Sequence, residues 1–387
     1  MAKINVWDVA GMLAAAEQRT GLDDWGESAF RDGLAALVES VNLESESLGV
    51  KPEGLEIEYQ EVMSRLCGRL KLFNDRKENP EIAKQLIEKP IFVVGLPRTG
   101  TTHMHHLMSL DPANRTPALW EILRPSPPPV AATRNNDPRI AEVEASLLAA
   151  GLSDDTFANM HIFSARNPEE CNYILEYAFR SQNQAAKIQK PIFMKWLQQA
   201  DMVPGFEYHK MLLQHLQWRC PGERWVLKSP QLMCHLKALL EIYPDATLVV
   251  THRNPKKALP SILSLCHTVQ SIYHTDLDSQ IEIDKCLTLQ PRAVREMMAL
   301  YHDPACRDRF VHVRFSDLAR DSAACIKSVY EHADIAFTPD IERRIDQHMR
   351  ENPRHKHGEH SYGLSDFGLN EAIIEDHFGD YIAEFEL

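Results

Sequence analysis

The sequence predicts an α/β protein: a parallel sheet flanked by helices, with a helical region before it and a helical insertion within it. Short apolar, β-branched runs at 90–94, 224–228, 246–251 and 309–315 have the length and composition of strands buried on both faces. Helix-period segments separate them, the rhythm that builds parallel sheets. The first run passes through a glycine-containing turn straight into a helical pattern, the context of a phosphate-binding loop.

The 387 residues leave room for more than one domain. Ahead of the first strand, Phe30, Leu34, Leu37, Val38 and Val41 recur at helical spacing, as do Tyr59, Val62, Met63, Leu66, Leu70 and Phe73. They define an expected helical region over 1–89, which leaves 90–387 as the α/β domain. Between the first two strands, 119–220 reads as an insertion, with Pro125, Pro127, Pro128 and Pro129 near its start and helical stretches near 139–150, 170–182 and 205–219. An excursion of that length above strand ends is expected to shape a substrate pocket.

Composition narrows the ligands. Lys and Arg number 42 against 55 Asp and Glu, a net charge of −13, so non-specific binding to nucleic acid or to an anionic membrane is disfavoured. An anionic ligand must therefore meet a local cluster of cations. No apolar stretch approaches the roughly 20 residues of a membrane span, and the first residues turn polar at once without a signal core. The chain is expected in the cytoplasm, and its eight cysteines, which form no CxxC pair, as reduced thiols.

The most informative motif is Gly95-Leu-Pro-Arg98-Thr99-Gly100-Thr101-Thr102. Glycines let the backbone turn so that amide N–H groups and the positive helix end converge on an anion, and the threonine hydroxyls add donors. The nucleotide triphosphatase pattern GxxxxGK(S/T) places a lysine where this chain has Thr101, and the cation has moved to Arg98. The run ending Thr251-His252-Arg253 lacks the carboxylate that holds magnesium in such enzymes. The loop is thus expected to hold an anion without a metal. Arg253 ends a strand, and Ser261 lies two turns into the helix that starts near Pro255, where both reach one phosphate.

With these residues the chain resembles the PAPS-dependent sulfotransferases. The segment from Pro90 to Thr102 is similar to their 5′-phosphosulfate loop, and Thr251-His-Arg253-Asn-Pro-Lys-Lys-Ala-Leu-Pro-Ser261 to their 3′-phosphate segment, in the same order. Phe315 and the basic Arg354-His-Lys356-His-Gly358 stretch stand where the family puts a nucleotide-proximal strand end and a C-terminal clamp. The resemblance runs from about Pro90 to Phe367. It implies a P-loop-like fold, a P-loop-like co-substrate site for 3′-phosphoadenosine 5′-phosphosulfate, and sulfuryl transfer to a hydroxyl of a small-molecule or lipid-like acceptor. By the same resemblance Arg98, Thr99, Gly100, Thr101 and Thr102 hold the phosphosulfate, and Arg253, Ser261, Phe315, Lys356 and Gly358 the 3′-phosphate side. One departure is His103, where many members carry an aromatic residue that stacks on adenine.

Transfer to a hydroxyl needs a base for the acceptor proton and a cation for the leaving phosphate. Lys228, at a strand end, matches a family lysine that faces the leaving group, although a strand-end salt bridge explains it equally well. Three residues compete as base. Glu121 ranks first by its distance from the loop, Glu170 second and His161 third. His103 and His106 have metal-ligand spacing without an evident acidic partner, so no metal is expected. Two other readings stay open: a divergent P-loop kinase, and a non-catalytic nucleotide-binding protein of the same fold. The acceptor pocket is expected to be lined by rings of the insertion, namely Trp120, Phe157, Phe163, Tyr173, Tyr177, Phe193, Trp196 and Phe206.

Overall fold

A computed structural model describes residues 6–149, 164–352 and 363–387. Five parallel strands, β1 (Ile91–Gly95), β2 (Asn114–Arg115), β3 (Arg224–Lys228), β4 (Thr247–His252) and β5 (Phe310–Arg314), stand in the order β2-β3-β1-β4-β5. The four apolar runs form β1, β3, β4 and β5, whereas β2 is two polar residues beside β3 and left no apolar signature. The register is fixed by Ile91 opposite both Val226 and Thr247, and by Leu248 opposite Phe310.

Side chains alternate across the pleat into two apolar layers. Phe92, Val94, Leu227, Leu248 and Val250 face one core, which continues without a break into the N-terminal helices through Leu34, Leu37, Met63 and Leu66. Ile91, Val93, Val226 and Val249 face the other, packed by Met104, Leu107 and Met108 of the helix after β1 and by Ile326 and Val329. The strand order reverses beside β1, so a crevice opens above the carboxyl ends of β1, β3 and β4, the usual ligand position in this architecture.

The helical region before the sheet consists of Val9–Thr20, Phe30–Glu44 and Pro52–Glu78. Asp8 caps the first by accepting from Gly11 N, and Pro52 occupies the opening position of the third. Within the insertion, helices Pro138–Ala149 and Val203–Gln217 fall where the periodicity puts them. The stretch near 170–182 differs: it holds one turn, Asn172–Leu175, and a 3-10 turn, Glu176–Ala178. Phe179 ends it in a left-handed conformation, φ 52°, and Arg180 N bonds back to Leu175 O. The chain turns there because the second N-terminal helix presses on it: a Cβ added to Gly33 would stand 2.2 Å from Phe179 O.

That contact is testable. Gly33→Ala has no room without moving backbone, and should lower stability by roughly 1–3 kcal/mol in urea unfolding. An unchanged midpoint would contradict the packing described.

Candidate active site

β1 closes on β4 at its last residue. Gly95 has φ 150°, and a Cβ there would meet Thr251 O at 2.5 Å. The loop after it is braced from inside: Thr99, fully buried, donates to Leu96 O at 2.7 Å and shares a 2.7 Å hydrogen bond with the Thr251 hydroxyl. Its hydroxyl therefore holds the loop and leaves only its backbone for an anion. Arg98 takes φ 68° and Gly100 φ 98°, turning the chain into the helix Thr101–Met108. Thr102 is exposed at that helix start, whereas Thr101 is buried.

Three strand ends bring one cluster together. Arg98 Nε donates to Ser261 Oγ at 3.2 Å, and Arg253, leaving β4, donates from NH1 to Arg98 O at 3.0 Å. Phe315, at the end of β5, carries the Arg253 guanidinium 4.4 Å from its ring centre, and its ring lies 3.0 Å from where a Gly100 Cβ would be. Arg98, Gly100, Arg253, Ser261 and Phe315, scattered in sequence, are thus one surface. Ser261 reaches it from the helix Pro255–Tyr273, whose first turn is capped by Asn254 accepting from Lys256 N. A tight glycine loop, a helix N-terminus and two guanidinium groups are a donor set for a multiply charged phosphate.

Lys228 closes the other side. Buried at the end of β3, it donates to Glu170 Oε1 at 2.9 Å, approaches Thr102 Oγ1 at 3.4 Å and lies 3.9 Å from Glu169 Oε1. Ser229 Oγ donates to the other Glu170 oxygen at 3.2 Å. Cys171 N bonds Lys228 O at 3.0 Å, which pins the Glu169-Glu170 segment to the strand end. Glu170 keeps a fifth of its side chain exposed, so one carboxylate touches both the lysine beside the phosphate loop and open space.

Glu121, ranked above Glu170 as base from the sequence, has an entirely different set of contacts. Glu121 is fully buried and grips Arg115 at 2.6 and 2.9 Å, Arg134 at 2.9 and 3.0 Å, and Ala118 N at 2.9 Å. Burial pushes its pKa up, but the two guanidinium groups outweigh that and hold it at about 2. A carboxylate with every lone pair taken has no contact with an acceptor. His161, Lys356 and Gly358 lie outside the described residues, as do Phe157 and Phe163. The helix-start histidines point apart: His103 Nε2 pairs with Ser322 Oγ at 3.4 Å, and the buried His105 ring bonds Val226 O at 3.2 Å. Burial, aided by Lys228, pulls the His105 pKa down to about 3.

Tyr173, three residues beyond Glu170, lines a cavity of about 290 Å³. Of the expected rings among the described residues, only Tyr173 lines it. Trp120, Tyr177, Phe193 and Phe206 are buried core, and Trp196 packs on that core, because large rings fill space between helices more readily than they line a void. Leu119, Leu123, Val143 and Leu147 of the insertion do line the cavity. Ile57 and Val62 of the third N-terminal helix and Val269, Ile272 and Tyr273 at the end of the Ser261 helix complete its apolar wall. Sequence reasoning missed Ser229 and Glu169 and the part of the N-terminal helix in this wall. The available signal was the polar series Glu58, Glu61 and Arg65 on one helix face beside Val62 and Leu66.

Fold and site together define an α/β protein with a glycine-turned loop and two guanidinium groups beside a paired carboxylate and lysine. The Sulfotransferase family profile matches residues 90–339, and the chain belongs to that family: it is a sulfotransferase. It is similar to omega-hydroxy-beta-dihydromenaquinone-9 sulfotransferase Stf3 of Mycobacterium bovis, 24% identical over 324 residues, which are 78% of this chain and 76% of that protein. Sulfotransferase STF9 from Mycobacterium avium superposes with a TM-score of 0.90 at 29% identity, covering 99% of this chain and 98% of that one. Sulfotransferase STF1 from Mycobacterium tuberculosis does so at 0.84 and 27%, covering 98% and 100%. No helix among the described residues is long and apolar enough to cross a membrane.

The Glu121 clamp predicts a stability effect. A glutamate held at about 2, below its ordinary 4.5, contributes stability that is full above 4.5 and lost as pH falls toward 2. Glu121→Gln leaves Arg115 and Arg134 without their counter-charge and should cost about 3–5 kcal/mol near neutral pH. The gap to the wild type should narrow on acidification. Chemical unfolding at several pH values checks this, and a constant gap would contradict the assignment.

Proposed function

We propose that this sulfotransferase takes a sulfuryl group from 3′-phosphoadenosine 5′-phosphosulfate and passes it to the hydroxyl of a lipid-like alcohol, with Glu170 as base. The observation that carries the reading is the Lys228 contact set: one buried ammonium touches both Thr102 of the phosphate loop and the partly exposed carboxylate of Glu170. The residues present fit the donor. The loop amides and Arg98 would hold the 5′-phosphosulfate, and Arg253 with Ser261 would hold the 3′-phosphate beside Phe315. When bound, that nucleotide supplies a sulfuryl group on a phosphate leaving group.

The chain's own residues then divide the work. Glu170 accepts the proton of an acceptor hydroxyl entering from the apolar cavity, with Ser229 and Lys228 fixing the orientation of its two oxygens. Lys228, on losing part of its pairing as Glu170 becomes protonated, offers its charge across the 3.4 Å gap toward Thr102 and the loop, where negative charge grows on the leaving phosphate. The cavity walls keep water from competing for transfer. A lipid-like acceptor is supported by that apolar lining and by the relative whose name gives an omega-hydroxy menaquinone derivative as its substrate. The kinase reading is disfavoured by Thr101 in place of the P-loop lysine and by His252-Arg253 at the end of β4.

The test compares Glu170→Gln with Glu121→Gln in transfer of labelled sulfate to a long-chain alcohol. Glu170→Gln should lower kcat by roughly 10²–10⁴-fold with nucleotide binding retained. Glu121→Gln should keep its turnover per folded molecule. Equal losses in the two variants would contradict the assignment of the base.

A further inference from the structure

The apolar cavity carries one feature that an apolar acceptor does not need. The third N-terminal helix sends Glu58, Glu61 and Arg65 from one face toward the insertion, where Lys190, Lys187 and Glu176 pair with them in turn. The outer two pairs are sealed: Glu58–Lys190 at 3.1 Å and Arg65–Glu176 at 2.7 Å are about a tenth exposed or less. Glu58, Arg65 and Glu176 also line the cavity, but Glu61–Lys187 differs in exposure, with 43% and 29% of the two side chains open, and both its residues line the cavity. Burial alone would push both toward their neutral forms. The partner's charge outweighs it, so Glu61 titrates below and Lys187 above its ordinary range, and the pair stays ionic.

A mainly apolar wall that also carries Ser146, Asn183, Gln184 and members of the sealed pairs discriminates by chemistry where its one open ion pair lies. A bare alkyl or aryl segment laid over it strips water from two charges and returns nothing. A carboxylate is attracted by Lys187 but repelled by Glu61, and an ammonium the converse, so neither gains from both partners. A neutral group that both donates and accepts satisfies the two partners at once, because a hydroxyl can donate to the carboxylate while its oxygen accepts from the ammonium. The pair also lies far from the donor. Along the helix Pro255–Tyr273, Ser261 belongs to the phosphate cluster and Val269 already lines the cavity, a rise of roughly 12 Å.

We propose that the Glu61–Lys187 pair selects an elongated, uncharged acceptor whose apolar body carries a second hydroxyl or amide group distal to the hydroxyl that is sulfated. The inference rests on the acceptor reading above and names the substrate class of that cavity.

Its test is a set of matched alcohols of one chain length: an alkan-1-ol, the α,ω-diol, the ω-hydroxy acid and the ω-amino alcohol, each assayed for sulfate transfer by the wild type and by a Glu61→Gln/Lys187→Met variant. In the wild type the diol should exceed the alkan-1-ol in kcat/KM by roughly tenfold or more, beyond the statistical factor of its two ends. The gain should lie in KM, and neither charged analogue should share it. In the variant the diol advantage should collapse. Should the variant fail to fold, Lys187→Gln alone should erode the same ratio. Turnover of all the alcohols without discrimination, or a diol preference unchanged in the variants, would overturn the inference and leave the sulfotransfer reading standing. No transfer to any alcohol by a wild-type protein that binds the nucleotide would overturn the acceptor reading, and the inference with it.

Discussion

Strands β1 and β4 approach so closely at Gly95 and Thr251 that no side chain fits between them, since a Cβ on Gly95 would stand 2.5 Å from the Thr251 carbonyl. Everything in the donor half follows from this seam. Because β1 can end in contact with β4, the loop behind it folds back over the sheet and Thr99 ties into the Thr251 hydroxyl. Arg98 and Arg253 then leave adjacent strand ends and meet, with the carbonyl of one accepting from the guanidinium of the other. An anion of several charges that meets both guanidinium groups gains from each. An acidic protein of net charge −13 thereby concentrates positive potential at one crevice.

Buried charge organises the acceptor half. The Glu121 clamp with Arg115 and Arg134 and the rail of pairs between the third N-terminal helix and the insertion take ions out of water at considerable cost. Such pairs add little net stability compared with apolar packing, yet breaking one strands its partner. We read their role as registry: they fix how the insertion seats on the N-terminal helix, and so where the cavity wall stands relative to Glu170 and Lys228.

Much of this was legible in the sequence. The strands buried on both faces announce themselves as apolar runs, and the phosphate loop with Arg98 by glycine spacing; Arg253 and Ser261 stand out at a strand end and the helix after it, and Phe315 only through the family resemblance. What escaped was set by long-range packing. β2 is two polar residues with no pattern to read. The helix expected near 170–182 is cut short by Gly33 pressing on Phe179. Glu121 and Glu170 look alike in sequence, since both follow an ordinary helix-start pattern, and only the fold shows that two arginines close over the first while the second stays partly exposed. Trp120, Tyr177, Phe193 and Phe206 went to the core for a similar reason: a large ring in a long insertion is first of all a means of burying it.

The central claim is that the strand ends form a two-pole anion site, with the loop and Arg98 at one pole and Arg253 with Ser261 at the other. Calorimetric titration of the wild type and of Arg253→Ala with adenosine 3′,5′-bisphosphate and with adenosine 5′-monophosphate tests it most directly. Loss of one charge-assisted phosphate contact should weaken bisphosphate binding by roughly 10- to 100-fold and leave the monophosphate within about threefold. Equal losses for the two nucleotides, or none for either, would contradict the account.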